Sequence, residues 1–494
     1  MNSAWLTATA VATPLIAAAA ILLARKHPNL REALSLLGAL ALFAQVAALL
    51  PDVLAGARPQ LAVLEILHGL ELGFQVEPLG LLFALIASFL WFVTVVYSIG
   101  YMRTHGELHQ TRFYAYFALA ISATIGGAFS ADLLTLYLFY EALTFATYPL
   151  VTHGGKETDR AGGRTYLMIL LGTSLIFLLL ALVWTYSLTG TLSFTEGGLL
   201  ANGDGLRPGV TPTIMMVLYA LFLFGTGKAA LLPFHRWLPA AMVAPTPVSA
   251  LLHAVAVVKL GVFTILKITV YTFGAGTLVR FDAGEIMQYV AAATLLVAAV
   301  LALREDNLKR RLAYSTVSQL GYIVLAATLA NRYALLAGGM HILAHALAKI
   351  TLFFCAGTIL ISLHKTAVTD LNGIGRVMPI TVGAWIVASF CVIGLPLTGG
   401  FWSKWYLVQG ALEAGQPILV AVVLLGSLLA VCYLLPPAVR ALYLTPVQAT
   451  AARPAFGAEA PRTSLIAIGV TAALCVLLFF VAQPIVSLLD GFAG

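Results

Sequence analysis

A single acid sits inside an otherwise apolar run. Glu141 lies in DLLTLYLFYEALTFATYPLV, which begins at Asp132 and is long enough to cross a bilayer. A carboxylate at that depth is costly unless paired or hydrated, and ionisable groups there ordinarily serve transport. Lys228, Lys259, Lys267, Lys349 and Lys404 also fall in hydrophobic segments. One acid and several bases, spread over separate helices, are the materials of a proton relay. Glu141 and Lys228 are the natural pair, because each alone would be desolvated and neutralised. If the pair separates, Lys228 loses its counter-ion, burial favours its neutral form, and its proton can move on. A static pin between two helices is the other reading, but such pairs add little net stability because desolvation offsets attraction.

The other titratable groups are patterned along helices. In MHILAHALAKITLFF, His341, His345 and Lys349 recur at i, i+4 and i+8, which places them on one helix face. Histidine titrates near neutral pH and passes protons through either ring nitrogen. HxxxH also suits a metal, but no HExxH glutamate accompanies it, and no carboxylate other than Glu141 is expected at membrane depth. In PTPVSALLHAVAVVKLGVF, Ser249 and His253 share a face, and Lys259 lies about two-thirds of a turn from His253 by the helical period. Lys267, nearer a helix end, reads as snorkelling to the interface and carries no assigned role. Ser315, Thr316, Ser318, Gln319 and Tyr322 form a polar, uncharged set that suits a water wire or interhelical hydrogen bonding equally. Cys355, Cys391, Cys432 and Cys475 lie in apolar segments without CxxC spacing, so they read as small buried hydrophobes rather than cluster or zinc ligands. No haem, flavin or cluster motif is present, and neither a cofactor nor a metal is expected.

These residues need helices to hold them. The chain is 61% hydrophobic and 10% charged, whereas soluble domains are about 45–50% apolar and about 25% charged. An all-α polytopic membrane protein follows. A helix needs roughly 20 apolar residues to span the hydrocarbon, which predicts about 14 spans. They fall near 5–24, 33–50, 78–99, 112–129, 132–151, 165–187, 211–232, 244–273, 286–303, 311–330, 335–362, 378–408, 417–443 and 463–489. The N-terminus has no positive charge before its apolar run, so the first span is expected to be retained. The longest polar connectors lie near 188–210 and 444–463. Two spans are predicted to be broken. Pro233, Pro239, Pro245 and Pro247 follow Lys228 in the seventh, and Pro396, Gly399 and Gly400 precede Lys404 in the twelfth. Proline removes a donor and frees carbonyls, here around Ala229 and Val392, and broken backbone at membrane depth is tolerated where protein or a wet cavity satisfies it.

The net charge of +7 does not point to nucleic acid, because the basic residues are sorted by loop. Loops after odd-numbered spans, with the adjoining span edges, carry 18 of the 27 Lys and Arg, among them Arg25, Arg112, Lys156, Arg236, Arg310, Arg311 and Arg453. Loops after even-numbered spans carry only Arg58, Arg207, Arg280 and Arg332. The positive-inside rule then puts the first set in the cytoplasm and both termini outside.

The motifs HRWLPAAMVAPTPVSALLHAVAVVK, LAYSTVSQLGY, HILAHALAKITLFF and GLPLTGGFWSKWYL resemble, in order, those of the antiporter-like subunits shared by respiratory complex I, membrane-bound hydrogenases and multi-subunit Mrp cation/proton antiporters. The resemblance covers roughly residues 110–420. It implies about 14 transmembrane helices with two inverted five-helix repeats and broken seventh and twelfth helices. The corresponding division is 1–110, N-terminal helices; 111–275, first half-channel; 276–443, second half-channel; and 444–494, C-terminal helix. Carried over by residue, Glu141 and Lys228 become the ion-pair module, and His253 and Lys259 the central relay. His341, His345 and Lys349 lie beyond them, and Lys404 is the terminal site, giving a lateral axis parallel to the membrane. Lys404 differs from the complex I paralogue with glutamate there, and the short C-terminus differs from the paralogue that ends in a lateral helix. The pattern looks most like the D-type component of Mrp antiporters. Many members read LPDAM where this chain has Leu238, Pro239, Ala240, Ala241 and Met242, so the loop carboxylate of those members is absent here.

The expected function is a proton-translocating subunit of an Mrp-type Na+/H+ antiporter in the cell membrane, partnered by other membrane subunits, with H+ and Na+ as its ions. A pumping subunit of a complex I-type NADH:quinone oxidoreductase or energy-converting hydrogenase, and an ion-coupled inorganic carbon uptake subunit, remain open as alternatives. A scaffold with a dead ion path would be expected to lose the titratable residues, and all are present.

Overall fold

The computed structural model describes residues 3–67, 69–203, 205–445 and 459–493. Apolar runs bounded by capping residues fold into helices α1 (Ser3–Leu23), α2 (Pro28–Leu54), α3 (Pro78–His105), α4 (Gln110–Ala128), α5 (Leu133–Val151) and α6 (Glu157–Thr189). Next come α7 (Pro212–Gly225), α8 (Thr246–Phe273), α9 (Glu285–Arg304), α10 (Leu308–Leu329) and α11 (Arg332–Leu363). They are followed by α12 (Pro379–Ile393), α13 (Gly400–Glu413), α14 (Pro417–Tyr443), α15 (Arg462–Phe480) and a terminal α16 (Ala482–Ala493). When each broken helix counts once, α1 to α15 make about 14 crossings. The caps are local chemistry. Glu77 accepts from the Leu79 and Gly80 amides to start α3, with Pro78 in the first turn, and Asp132, Asn307 and Asn331 cap α5, α10 and α11 in the same way.

Burial divides the helices into two classes. In the most apolar stretch of α8 every residue is buried, as are 94% in α10 and 83% in α11, against 28% in α2 and 33% in α6 and α14. The polar residues singled out above lie mostly on the enclosed helices. The outer helices present Leu175, Ile176, Leu424 and Leu428 outward, surfaces that suit lipid or neighbouring transmembrane helices.

Both predicted breaks are present. After α7 the chain passes through 3-10 turns at Gly227–Ala229 and Phe234–Arg236. The Gly227 carbonyl accepts from both the Ala230 amide and the Trp237 indole, each at 3.0 Å. Between α12 and α13, the Ile393 carbonyl is taken by Lys404 at 2.9 Å, and the Gly399 amide donates to Cys475 O at 2.9 Å. Gly400 is required here, because a Cβ at this position would collide with the Cys391 carbonyl. A third interruption has no proline to announce it. α8 contains a π-turn at Leu251–Val255, and Ala256 leaves helical geometry at φ −122°, ψ −77°. The uniform helical period assumed between His253 and Lys259 therefore does not hold. α6 also carries a π-turn, at Ser174–Leu178, against which Gly225 packs so closely that no side chain would fit.

A short antiparallel pair, Ala201–Asn202 with Gly205–Leu206, and a longer hairpin depart from a purely helical reading. The longer hairpin, β1 (Gln60–Leu67) and β2 (Leu70–Gln75), is antiparallel and turns at Gly69, whose φ of 77° suits glycine. It rests on the α4–α5 turn through Gln75 N to Phe129 O and Ala131 N to Gly73 O.

The loops sort into two layers. Those after odd-numbered spans touch one another: Arg31 reaches Gln110 and Thr111, Arg112 the His153 carbonyl, Lys309 the Ala244 carbonyl, and Gly373 N the Arg440 carbonyl. Those after even-numbered spans meet at the opposite end, through Arg58 to Gly491 O and Leu199 N to Tyr271 O. The basic residues therefore gather at one end; Arg453 lies outside the described residues.

Candidate proton-transfer site

In the first half, α5 presents Tyr140, Glu141 and Thr144 to the α7 break. Lys228 is fully buried, and its amine donates to Tyr140 O at 2.8 Å and Thr144 Oγ1 at 2.6 Å. It also sits 3.2 Å from the centre of the Tyr140 ring, a cation–π contact. The Tyr140 hydroxyl accepts from the Lys228 amide at 3.0 Å. Glu141 does not close on Lys228. Its two carboxylate oxygens are buried without a protein hydrogen-bond partner, and no ion pair joins it to Lys228 among the described residues. The expected pair is therefore present as neighbouring groups but not as a contact.

In the centre, α8 meets α11. Lys259 Nζ and His345 Nδ1 are in direct hydrogen-bond contact, and both residues are buried. The His345 ring lies 5.9 Å from His341, and His341 lies 5.6 Å from Tyr322, each stacked at shallow angles. The helical stripe read from the sequence thus becomes a column of rings. His341 Nδ1 bonds Ser403 Oγ at 2.9 Å, one residue before Lys404.

In the second half, Lys404 donates to Ile393 O and Ser427 Oγ, both at 2.9 Å, and its amine sits 4.5 Å from the centre of the Tyr322 ring. His341 therefore joins His345 to the terminal lysine. Lys349 is a branch, donating to Ser315 Oγ at 2.6 Å and Leu312 O at 3.3 Å, with Ser315 continuing to the Tyr433 hydroxyl at 3.1 Å.

His253 stands apart. Its ring packs 4.6 Å from Phe353, and neither nitrogen has a protein partner. The same is true of Ser318 Oγ, His341 Nε2 and His345 Nε2. Buried polar atoms are normally satisfied by protein or by ordered water, so the arrangement suits a hydrated interior path. On the basic side, a cavity of about 490 Å3 is lined by His105, Glu107, His153, Asp159, Lys309 and Tyr101. The Tyr101 hydroxyl accepts from the Thr246 amide at 3.5 Å, at the start of the helix that bears His253. Burial raises the Glu107 carboxyl and lowers the His153 imidazole from their ordinary values.

The structure adds residues to the site and corrects others. Tyr140 and Ser427 complete the lysine sites, Ser403 ends the histidine column, and Trp237 closes on the first break. Tyr140 and Thr144, flanking Glu141 in YEALT, were the available signal. Lys267 does not snorkel: it is 1% exposed and pairs with Glu77 at 3.4 Å. Glu77 and Asp132 are also buried acids, at helix N-termini, whereas Glu141 is half-buried with both carboxylate oxygens enclosed. Cys432 is exposed, so only three of the four cysteines behave as buried hydrophobes. Ala240 lines a cavity of about 760 Å3 together with Arg236 and Arg310.

Enclosed lysines at two helix breaks, with a histidine column running from Lys259 on α8 to the second break, define an antiporter-like membrane subunit. Residues 130–430 match the NADH:quinone oxidoreductase/Mrp antiporter transmembrane family, and residues 67–114 match the N-terminal segment of chain 5 of NADH-ubiquinone oxidoreductase (complex I). The chain belongs to this family. It is 35% identical to NADH-quinone oxidoreductase subunit N of Desulforudis audaxviator, across 74% of this chain and 71% of that one. It is 31% identical to subunit L of Mycobacterium tuberculosis, across 88% and 68%. Against chain 5 of a Synechocystis NAD(P)H-quinone oxidoreductase, 30% identical, it spans only 51% of the relative's length. Its fold is shared with a chain of the Mrp complex from a Dietzia species, at TM-score 0.85 and 21% identity over 99% of this chain and 96% of that one. It is also shared with a chain of an archaeal membrane-bound sulfane sulfur reductase, at TM-score 0.82 and 23% identity over the same shares.

Proposed function

We propose that this chain is the proton-translocating subunit of a multi-subunit Mrp-type Na+/H+ antiporter. The basic end is cytoplasmic, both termini lie on the other side, and protons pass between the two faces. They move along Glu141, Lys228, Lys259, His345, His341 and Lys404, with His253 as the feed from the cytoplasmic cavity and Lys349 as a branch. The observation that carries this reading is the buried column from Lys259 through His345 and His341 to Ser403 and Lys404. Residues 111–275 and 276–443 serve as the two half-channels, flanked by 1–110 and 444–494. Movement of Glu141 toward and away from Lys228 is the switch, because a lysine held only by neutral oxygens releases its proton more readily than one beside a carboxylate.

The names of the curated relatives favour a second reading, a pumping subunit of a complex I-type redox assembly. The two are separated by purifying the chain with its native partners and reconstituting the assembly in vesicles with a pH dye. A Na+ pulse that drives proton exchange, lost in Glu141→Gln, supports the antiporter. Proton movement driven only by a reduced electron donor replaces it with the redox reading. No proton movement under either drive overturns both.

A further inference from the structure

Lys267 and Glu77 form a second enclosed acid–base pair that the relay above does not use. Lys267, near the end of α8, is 1% exposed, and its amine lies 3.4 Å from Glu77 Oε1 at the start of α3. The same amine donates to Ser130 O at 2.8 Å, in the α4–α5 turn beside the buried Asp132. It faces the Phe194 and Phe263 rings, at 4.8 and 5.5 Å from their centres. Glu77 also receives a hydrogen bond from the Tyr271 hydroxyl at 3.4 Å. Tyr271 in turn lines a cavity of about 470 Å3 at the end of the bundle opposite the basic loops, with Glu196, Thr277 and Arg280. Inward along α8, Lys259 lies eight residues before Lys267, roughly 12 Å along the axis. Between them stands Thr264, whose buried hydroxyl has no protein partner.

We propose that Glu77 and Lys267 are a proton-exchange pair at the outer end of α8, connecting the Lys259–His345 centre with the outer cavity through Tyr271. The proposal rests on the proton-translocating reading given above. In the step, the Lys267 ammonium gives its proton to the Glu77 carboxylate, leaving a neutral amine and a neutral acid. The carboxyl proton passes to the cavity by way of the Tyr271 hydroxyl, which accepts one proton and gives up another. Lys267 is then recharged from the core, and the ion pair is restored. A pair that served only to pin α3 to α8 would need charge alone, since its contribution is a balance of attraction and desolvation. An exchange pair needs a base that can let its proton go, which lysine does and arginine does not.

The test uses the complete assembly in vesicles with dye-reported proton flux, comparing wild type, Lys267→Arg, Tyr271→Phe and Glu141→Gln. Tyr271→Phe removes only a hydroxyl and keeps the ring that packs on Phe194 and Phe492. The expected result is intact assembly, flux lowered about tenfold or more in Lys267→Arg, a smaller loss in Tyr271→Phe, and a larger D2O isotope effect in both, because exchange at this end becomes limiting. Wild-type flux and isotope effect in both variants, with Glu141→Gln inactive, overturns the exchange pair and leaves the relay standing. Loss in Lys267→Arg alone keeps the pair and removes Tyr271 from the route. Full activity in Glu141→Gln overturns the underlying reading and this proposal with it.

Discussion

The two lysines at the helix breaks are held by the same recipe but given different company. Lys228 and Lys404 each donate to one backbone carbonyl and one hydroxyl, and each lies on the face of a tyrosine. Only the first has a carboxylate beside its carbonyl partner. On α10, α12, α13 and α14 the acids are limited to Glu413 at the end of α13. A carbonyl, a hydroxyl and a ring face can stabilise an ammonium without fixing its charge, whereas a carboxylate that approaches or retreats changes how strongly the proton is held. The first half therefore has the parts of a switch and the second those of a relay station. The histidine column links α8 directly to the second break, so any coupling between the halves is expected to run through it.

The comparison can be broken in several places. The largest effect is expected for Glu141→Gln and Lys228→Ala, each lowering proton flux by about 100-fold or more in a correctly inserted and assembled protein; near-normal flux would remove the switch. Lys404→Ala comes next, at about tenfold, with Lys404→Glu retaining part of the activity because a relay station needs a titratable group rather than a particular charge. Equal activity of the alanine and glutamate variants would make Lys404 structural. Lys349→Ala is expected to cost less than His345→Ala, since Lys349 points toward Ser315 and Tyr433 rather than along the column; the reverse order in the same flux assay would restore it to the main line. The smallest effect on the transport step itself is expected for Gly400→Ala. Its added methyl meets the Cys391 carbonyl, so yield and melting temperature fall first, and normal yield would show that the second break has slack.

Much of this site was legible in the sequence, for stated reasons. Proline next to an intramembrane lysine marked both breaks, because a missing donor at membrane depth must be answered locally. The i, i+4 spacing of His341 and His345 placed the rings on one face. What spacing could not give was which helix faces that stripe, so the Lys259–His345 contact appears only in the fold. The α8 interruption carries no proline: His253 to Lys259 reads as an ordinary apolar helix, and no residue type there marks the π-turn at Leu251–Val255. Lys267 reads as an interfacial residue because a lysine near a helix end looks alike whether it reaches solvent or a buried acid. The partner, Glu77, is almost 200 residues away in the chain. The hairpin at 60–75 escaped because β1 is largely exposed and its apolar residues do not alternate cleanly.

The claim that protons pass laterally through the α8–α11 contact is tested most directly by a double-mutant cycle on Lys259 and His345. Flux is measured in reconstituted assemblies carrying Lys259→Ala, His345→Ala or both. If the two groups are one link, each single change removes most of the flux and the double change removes little more, because groups in one pathway are not additive. Losses that multiply independently, or a His345→Ala variant that moves protons as fast as wild type, would contradict it.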